Sequence, residues 1–306
     1  MGNQNSIESR KSASNPKSIG LPKDASKPII IPKDDPKPIN LPMDVTESIG
    51  LPKMGKEAYL FEADIHHLIG KGGFAQVFRA IRKYDEKEFA VKRSIFSVKS
   101  MYPRDHQAAL DEVRFMKENA HPLIVKVIDD FIDNSGHLCM VQELYTQGDF
   151  NEFLKDRGKK QFEEHDILSF LANIIKIIHH LNSSGIYHRD LKPENFLIRT
   201  EENGRIYLHL SDFGLAKKDK PDDDRLSSSI GAIKGTVEYL APEILNSKFS
   251  RPNMSKQDVW SIGVIAYQLC THRLPFKGEY NGGTISAILN DPYEPIPHNL
   301  YSDELI

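Results

Sequence analysis

A carboxylate, an ammonium and an amide oxygen are crowded into one short string, His188-Arg189-Asp190-Leu191-Lys192-Pro193-Glu194-Asn195. Transfer of a phosphoryl group calls for such groups. It needs backbone donors and cations around phosphates, a divalent metal on hard oxygen ligands, and a carboxylate that orients the attacking hydroxyl. In that chemistry Asp190 orients the hydroxyl and accepts its proton, Lys192 neutralises charge on the γ-phosphate, and Asn195 holds Mg2+. A purely structural origin does not account for so many polar groups between the apolar segments GIYH and FLIR. Seventeen residues beyond Asn195 stands Asp212-Phe213-Gly214, where Asp212 would be the main Mg2+ ligand. Upstream, Gly70-Lys71-Gly72-Gly73-Phe74-Ala75-Gln76-Val77 lets backbone amides approach phosphate closely. Taken alone, a glycine-rich hairpin turn explains that string as well. Lys92 ends the apolar run Phe89-Ala90-Val91 and can aim a point charge at the α- and β-phosphates. Taken alone it reads as a surface lysine, and it needs a carboxylate to hold it. Glu112 is placed for that on the following helix.

These groups need rigid elements to carry them. Alternating apolar positions over 65–98 read as strands, followed by a helix at about 105–119 with Ala109, Val113 and Met116 at helical spacing. VKVIDDFI and HLCMVQEL read as two further strands around the turn DNSG at 133–136. After Gly148 the long runs are helical, notably 165–184 and 257–271. Strands first and helices later predict an α+β fold, a small antiparallel-sheet lobe (about 59–142) joined to a larger helical lobe (about 146–306).

Residues 1–58 hold 8 of the 18 prolines and no aromatic residue, too little apolar surface to offset the entropy of ordering. They read as a disordered tail. It carries a ten-residue repeat marked by Pro22, Pro32, Pro42 and Pro52, with Ile19, Ile29, Ile39 and Ile49 three residues before each. Ten residues are too few for a solenoid unit. The repeat reads as an extended spacer, with a multivalent docking tail as the competing reading. A net charge of −3 gives no global sign of nucleic-acid binding. Two cysteines, Cys139 and Cys270, argue against a disulfide scaffold and fit a reducing compartment. No apolar stretch is long enough to span a bilayer, and no apolar secretory leader is present. Met1-Gly2-Asn3-Gln4-Asn5-Ser6 fits the N-myristoylation pattern. The expected location is therefore cytoplasmic, with part of the protein held weakly on membranes through Gly2.

Taken together, the motifs resemble the protein kinase signature set: glycine-rich loop, strand lysine, HRDLxxxxN, DFG, and APE at Ala241-Pro242-Glu243. Asp258-Val259-Trp260-Ser261-Ile262-Gly263 is similar to the opening of the family's buried central helix. The resemblance covers about 59–306 and implies a monomeric, two-lobed kinase that uses ATP and Mg2+. It further implies that Val77, Ala90 and Leu197 sandwich the adenine, with the hinge backbone of Glu143 and Tyr145 beside it. Asp149 would reach the ribose, and Gln142 would guard the back pocket. Met116, Val127, His188 and Phe213 would stack as a spine, and Asp258 would brace the catalytic loop. Lys192-Pro193 and Gly235-Thr236-Val237-Glu238-Tyr239 resemble the serine/threonine type, with Thr236 near Asp190 and Lys192. FEEHDILSFLANIIKIIHHL and PYEPIPHNLYSDELI resemble the NIMA-related group. Asp149 and Glu194 imply a preference for arginine upstream of the acceptor, moderated by Gln268. The competing reading is a pseudokinase or membrane-tethered scaffold on the same fold.

Three departures from the family pattern stand out. Ala75 replaces the third glycine of the loop. The usual phosphoacceptor position in the segment Asp212–Glu243 is Ala232, with Ser227, Ser228 and Ser229 just upstream. The sequence ends where the family pattern has a further helix or two, which would leave Glu243 without its usual arginine.

Overall fold

The computed structural model describes residues 55–61, 63, 66–98, 100, 103–218, 235–246, 254–303 and 305. The first lobe is an antiparallel sheet. Its strands are β1 (Tyr59–Leu60), β2 (Leu68–Lys71), β3 (Ala75–Arg82), β4 (Glu88–Ser94), β5 (Val127–Ile132) and β6 (Leu138–Glu143). Their order is β1-β3-β4-β6-β5, with β2 also paired to β3. Alternation across β6 explains why its run is apolar almost throughout. Cys139 and Val141 enter a cluster with Tyr59, Phe89, Val91 and Phe131 on one face. Leu138 and Met140 join the main core with Val113 and Met116 of helix α1 (Pro103–Glu118). The turn at 133–136 is closed by Asp133, whose carboxylate accepts from the N–H groups of Ser135 and His137 at 2.9 Å.

The structure revises two element boundaries. Lys56–Ala58, read from sequence as tail, form a 3-10 turn. Gly55 N–H donates to Asp129 at 3.0 Å, and Ala58 packs on the outer cluster. Val125, expected in the strand of β5, instead donates its N–H to the Leu210 carbonyl at 2.9 Å. That bond ties the first lobe to the second.

The second lobe comprises α2 (Phe150–Arg157), α3 (Glu164–Ser183), β7 (Ile186–Tyr187), β8 (Phe196–Thr200), β9 (Ile206–Leu210), β10 (Lys217–Lys218), α4 (Pro242–Leu245), α5 (Met254–Thr271) and α6 (Asn281–Asn290). Ile167, Phe170, Ile174, Ile177, Ile178 and Leu181 put a buried stripe of helical spacing along α3. Helix α2 starts with a capping box: Asp149 accepts from Glu152 N–H at 2.8 Å, and Glu152 reaches back to Asp149 N–H at 3.4 Å. The hairpin β8–β9 and the short pair β7–β10 carry the catalytic string and the DFG residues on their connections. The expected α+β architecture of sheet lobe and helical lobe is what the chain adopts.

Candidate active site

Lys92 lies on β4, opposite Val77 on β3 and Met140 on β6. Its ammonium lies 2.5 Å from the Glu112 carboxylate on α1 and 3.2 Å from Asp212. Burial alone would push Lys92 down, but the two carboxylates outweigh it and hold the ammonium protonated, above its ordinary range. Burial works in the same way against the Asp212 charge, and the Lys92 ammonium and the Gly214 N–H overcome it, taking the carboxyl down to about 2. Glu112 is pushed up, first by burial and then by the neighbouring Asp212 charge, with Lys92 opposing.

The second group converges on Asp190. Lys192 approaches its carboxylate at 3.0 Å. The backbone N–H of Thr236 donates to it at 3.1 Å and the Thr236 hydroxyl at 3.3 Å, and that hydroxyl accepts from Lys192 at 2.7 Å. Asn195, 7% exposed, donates its amide nitrogen to the Asp190 carbonyl at 2.7 Å. That leaves the amide oxygen free of this bond. Ser211 ties this string to the DFG turn, donating both N–H and hydroxyl to the Asn195 carbonyl, at 2.9 and 3.0 Å. Gly235, which precedes Thr236, has φ of 108°, and a Cβ there would meet Leu240 at 3.2 Å and both Arg189 and Asp190 at 3.4 Å.

Beneath the loop, Asp258 of α5 is wholly buried and accepts from the N–H groups of His188 and Arg189 at 2.9 and 2.8 Å. It thereby fixes Arg189, whose φ of 68° is left-handed. The Arg189 Nε donates to the Leu215 carbonyl at 2.7 Å. Phe213 is buried, with its ring 5.4 Å from that of His188 and nearly perpendicular to it. Phe213, Met116 and Val127 belong to the same core, as expected of a spine. Gln142 is buried, with its amide against the sulfurs of Met116 and Met140 at 3.5 and 3.8 Å.

The remaining predicted positions surround this centre. Gly70 pairs with Val77 across β2–β3, Gly72 N–H closes the loop on the Ala75 carbonyl at 2.8 Å, and Phe74 at the tip is 80% exposed. Lys71 and Gly73 are exposed on the same loop. Ala90 lies opposite Gln142, and Leu197 bridges to Asp149. The Asp149 side chain doubles as the α2 cap described above. Glu243 is half-buried and has no ion pair among the described residues. Ser227, Ser228, Ser229, Ala232, Gly2 and the tail repeats lie outside the described residues.

Some positioning groups were not singled out from sequence. Arg199 of β8 pairs with Glu143 at 3.1 Å and sits 4.5 Å over the Tyr145 ring. Gln147 accepts from Thr200 N–H at 2.7 Å, so the hinge is tied to β8 at two points. Gln257 of α5 accepts from Ala241 N–H at 2.8 Å and donates to the Tyr239 carbonyl at 3.2 Å, holding the segment after Thr236. The last lies in the polar run Ser255-Lys256-Gln257-Asp258 at the start of α5, where nothing in the sequence sets it apart. The Arg199 pairing depends on strand register and has no local signal.

Among the described residues no cluster of three His, Cys, Asp or Glu side chains could hold a metal. The donor set nevertheless suits Mg2+, which takes one or two protein carboxylates and completes its shell with water and substrate phosphate. Asp212 and the Asn195 amide oxygen are such a pair.

A sheet lobe and a helical lobe that carry this polar centre have the architecture of a protein kinase domain. The protein kinase domain family matches residues 63–300, and the chain belongs to that family. The chain is 33% identical over 239 residues to a "probable serine/threonine-protein kinase nek3" of Dictyostelium discoideum, covering 78% of this chain and 20% of that protein. It is 35% identical over 234 residues to a probable myosin light chain kinase of the same organism, covering 76% and 70%. It is 32% identical over 239 residues to human serine/threonine-protein kinase H1, covering 76% and 53%. The chain thus spans between a fifth and seven-tenths of the length of these relatives. Identity to nek3 stands beside slightly higher identity to the myosin light chain kinase, so these matches do not single out the NIMA-related group.

Proposed function

We propose that the chain is an active, ATP-dependent protein serine/threonine kinase. The observation that carries this is the state of Asp190. Its carboxylate is held by Lys192 and Thr236 while Lys92 bridges the carboxylates of Glu112 and Asp212. In this reading Asp190 orients the acceptor hydroxyl and takes its proton. Lys192 stabilises charge on the transferred group, and Thr236 keeps the two in register. Lys92, fixed by Glu112, binds the α- and β-phosphates. The glycine-rich loop covers those phosphates with backbone N–H groups. Val77, Ala90 and Leu197 enclose the adenine, Glu143 and Tyr145 present the hinge, and Asp149 reaches the ribose. Bound at Asp212 and Asn195, Mg2+ supplies the positive charge that phosphate oxygens need. No described residue favours the pseudokinase alternative, since every group the chemistry requires is present.

The experiment is transfer of radiolabelled phosphate from ATP to a peptide array. Incorporation into serine and threonine peptides that Asp190→Asn abolishes is the expected result, and incorporation unchanged by Asp190→Asn would remove the assignment. The same array tests the expected gain from upstream arginine at Asp149 and Glu194. Gln268 accepts from the Tyr239 hydroxyl at 2.9 Å, which engages it beside that surface.

The catalytic part, read from the sequence as about 59–306 and lengthened by the Lys56–Ala58 turn, acts as a cytoplasmic monomer in this proposal. Among the described residues no helix is long and apolar enough to cross a membrane. Weak membrane attachment through myristoylated Gly2 belongs to the same proposal. One acyl chain gives marginal binding, and intact mass of protein made in a eukaryotic host tests for it.

A further inference from the structure

A cavity of about 390 Å³ opens where the end of α2, the first turns of α3 and the β8–β9 connection meet. None of its lining residues belongs to the phosphoryl-transfer centre. Its floor is aromatic. Phe162 and Phe170 are buried, and with Phe153 they form three rings whose centroids lie 5.9 to 6.4 Å apart.

The walls are cationic. Arg157, from the last turn of α2, lies 4.1 Å over the Phe162 ring. Its Nε and one Nη donate to the carbonyls of Lys160 and Gln161, both at 3.3 Å. Those bonds fix the guanidinium and use two of its five N–H groups. Arg205, from the opposite wall, is exposed and lies 5.3 Å over the Tyr207 ring. Among the described residues neither guanidinium has a carboxylate within ion-pair distance. Asp166 is the one acid lining the cavity, and it faces His165 at 3.2 Å.

Two positioned guanidiniums without counter-ions above an apolar floor complement a carboxylate beside a bulky apolar side chain. An extended chain delivers that pair from alternate residues, which point to the same side. We propose that this cavity docks an extended peptide segment of a protein partner. In that segment an Asp or Glu pairs with Arg157 and Arg205, and a Leu, Ile or Phe close by packs on Phe153, which Phe162 and Phe170 back from below. Resting on the kinase reading above, the segment belongs to a substrate and lies apart from the residue that accepts phosphate. A second point of attachment raises the effective concentration of that acceptor at the cleft.

The full chain is probed with short peptides lacking Ser, Thr and Tyr, in which Asp or Glu stands a few residues from Leu, Ile or Phe. The tightest is labelled with fluorescein and titrated by anisotropy. Saturable binding is expected, undisturbed by a non-hydrolysable ATP analogue and weakened about tenfold or more by Arg205→Glu and by Arg157→Gln. Arg205 is exposed at the end of a turn, so thermal melts of Arg205→Glu should match the parent. Fused to a generic acceptor peptide, the segment should lower KM for the parent and not for Arg205→Glu. The unfused acceptor should be phosphorylated equally by both. Failure of every peptide to bind, binding equal in both variants, or displacement by the ATP analogue would overturn the proposal. The anisotropy measurement stands even if no phosphate is transferred, in which case only the kinase reading falls.

Discussion

Asp212 and Asp258 both serve the catalytic loop region, one at the cleft and one beneath it, and they are stabilised by different means. Asp212 faces the cleft, keeps 44% of its side-chain surface exposed, and is drawn down to about 2 by the Lys92 ammonium against the effect of burial. Asp258 is wholly buried beneath the catalytic loop. Burial pushes its carboxyl up, and the His188 charge, the backbone N–H groups of Arg189 and His188, and the Arg189 charge only partly offset this. The comparison shows how one residue type serves two ends. A carboxylate paired with a cation and open to the cleft stays ionised for metal and phosphate. A carboxylate satisfied by backbone donors serves as a bracket for the loop.

The comparison is broken most severely at the cleft. Lys92→Met, Asp190→Asn and Asp212→Asn should each lower phosphoryl transfer on the order of a hundredfold or more while leaving a cooperative melt, since these groups act on developing charge. Initial rates and thermal scans on the same samples check this. Next comes the bracket. Asp258→Ala leaves two buried N–H groups without an acceptor and should cost about 2–4 kcal/mol of stability, read as a fall in the denaturant midpoint. If Asp212→Asn destabilised as much as Asp258→Ala, the division of labour would be wrong.

His209 sharpens the point as a buried group in which burial outweighs the Tyr207 backbone bond and the Glu143 charge that favour its protonation. It is 4% exposed, and burial, followed by the nearby Arg199 charge, takes it from 6.5 down to about 4. A depressed folded value means that its contribution is complete above pH 6.5 and is lost as pH falls through about 4. That contribution is at most about 3 kcal/mol. Urea midpoints between those values should fall less steeply in His209→Gln than in the parent. The smallest effect belongs to the hinge. The Arg199–Glu143 pair is partly exposed, so Arg199→Ala should raise KM for ATP about two- to fivefold with kcat little changed. Arg199→Lys should restore part of the loss.

The chemistry was legible because it is written in short, contiguous strings. Asp190, Lys192 and Asn195 meet because one loop carries them, and Asp212 follows at a fixed interval. The helices α1, α3 and α5 were legible from spacing, to within a few residues at each end. Strand β8 was read only as an apolar segment, because the four residues FLIR carry no clear period. Helix α2 is short, and Asp149 looked like a ligand for ribose before the structure showed it as a cap as well. The groups that brace the site, Arg199 and Gln257, were invisible. Their roles arise from contacts across 56 and 16 residues of sequence, which depend on register and helix phase.

Gly235 has a consequence for inheritance. Its backbone angle strains any L side chain, and a Cβ there would press on Leu240, Arg189 and Asp190 at 3.2 to 3.4 Å. A single-codon change there would press on the Arg189 carbonyl and the Asp190 carboxylate, and on none of Lys92, Glu112 or the hinge. A screen of variants would therefore score this position together with the site, although the residue contributes no side chain to it.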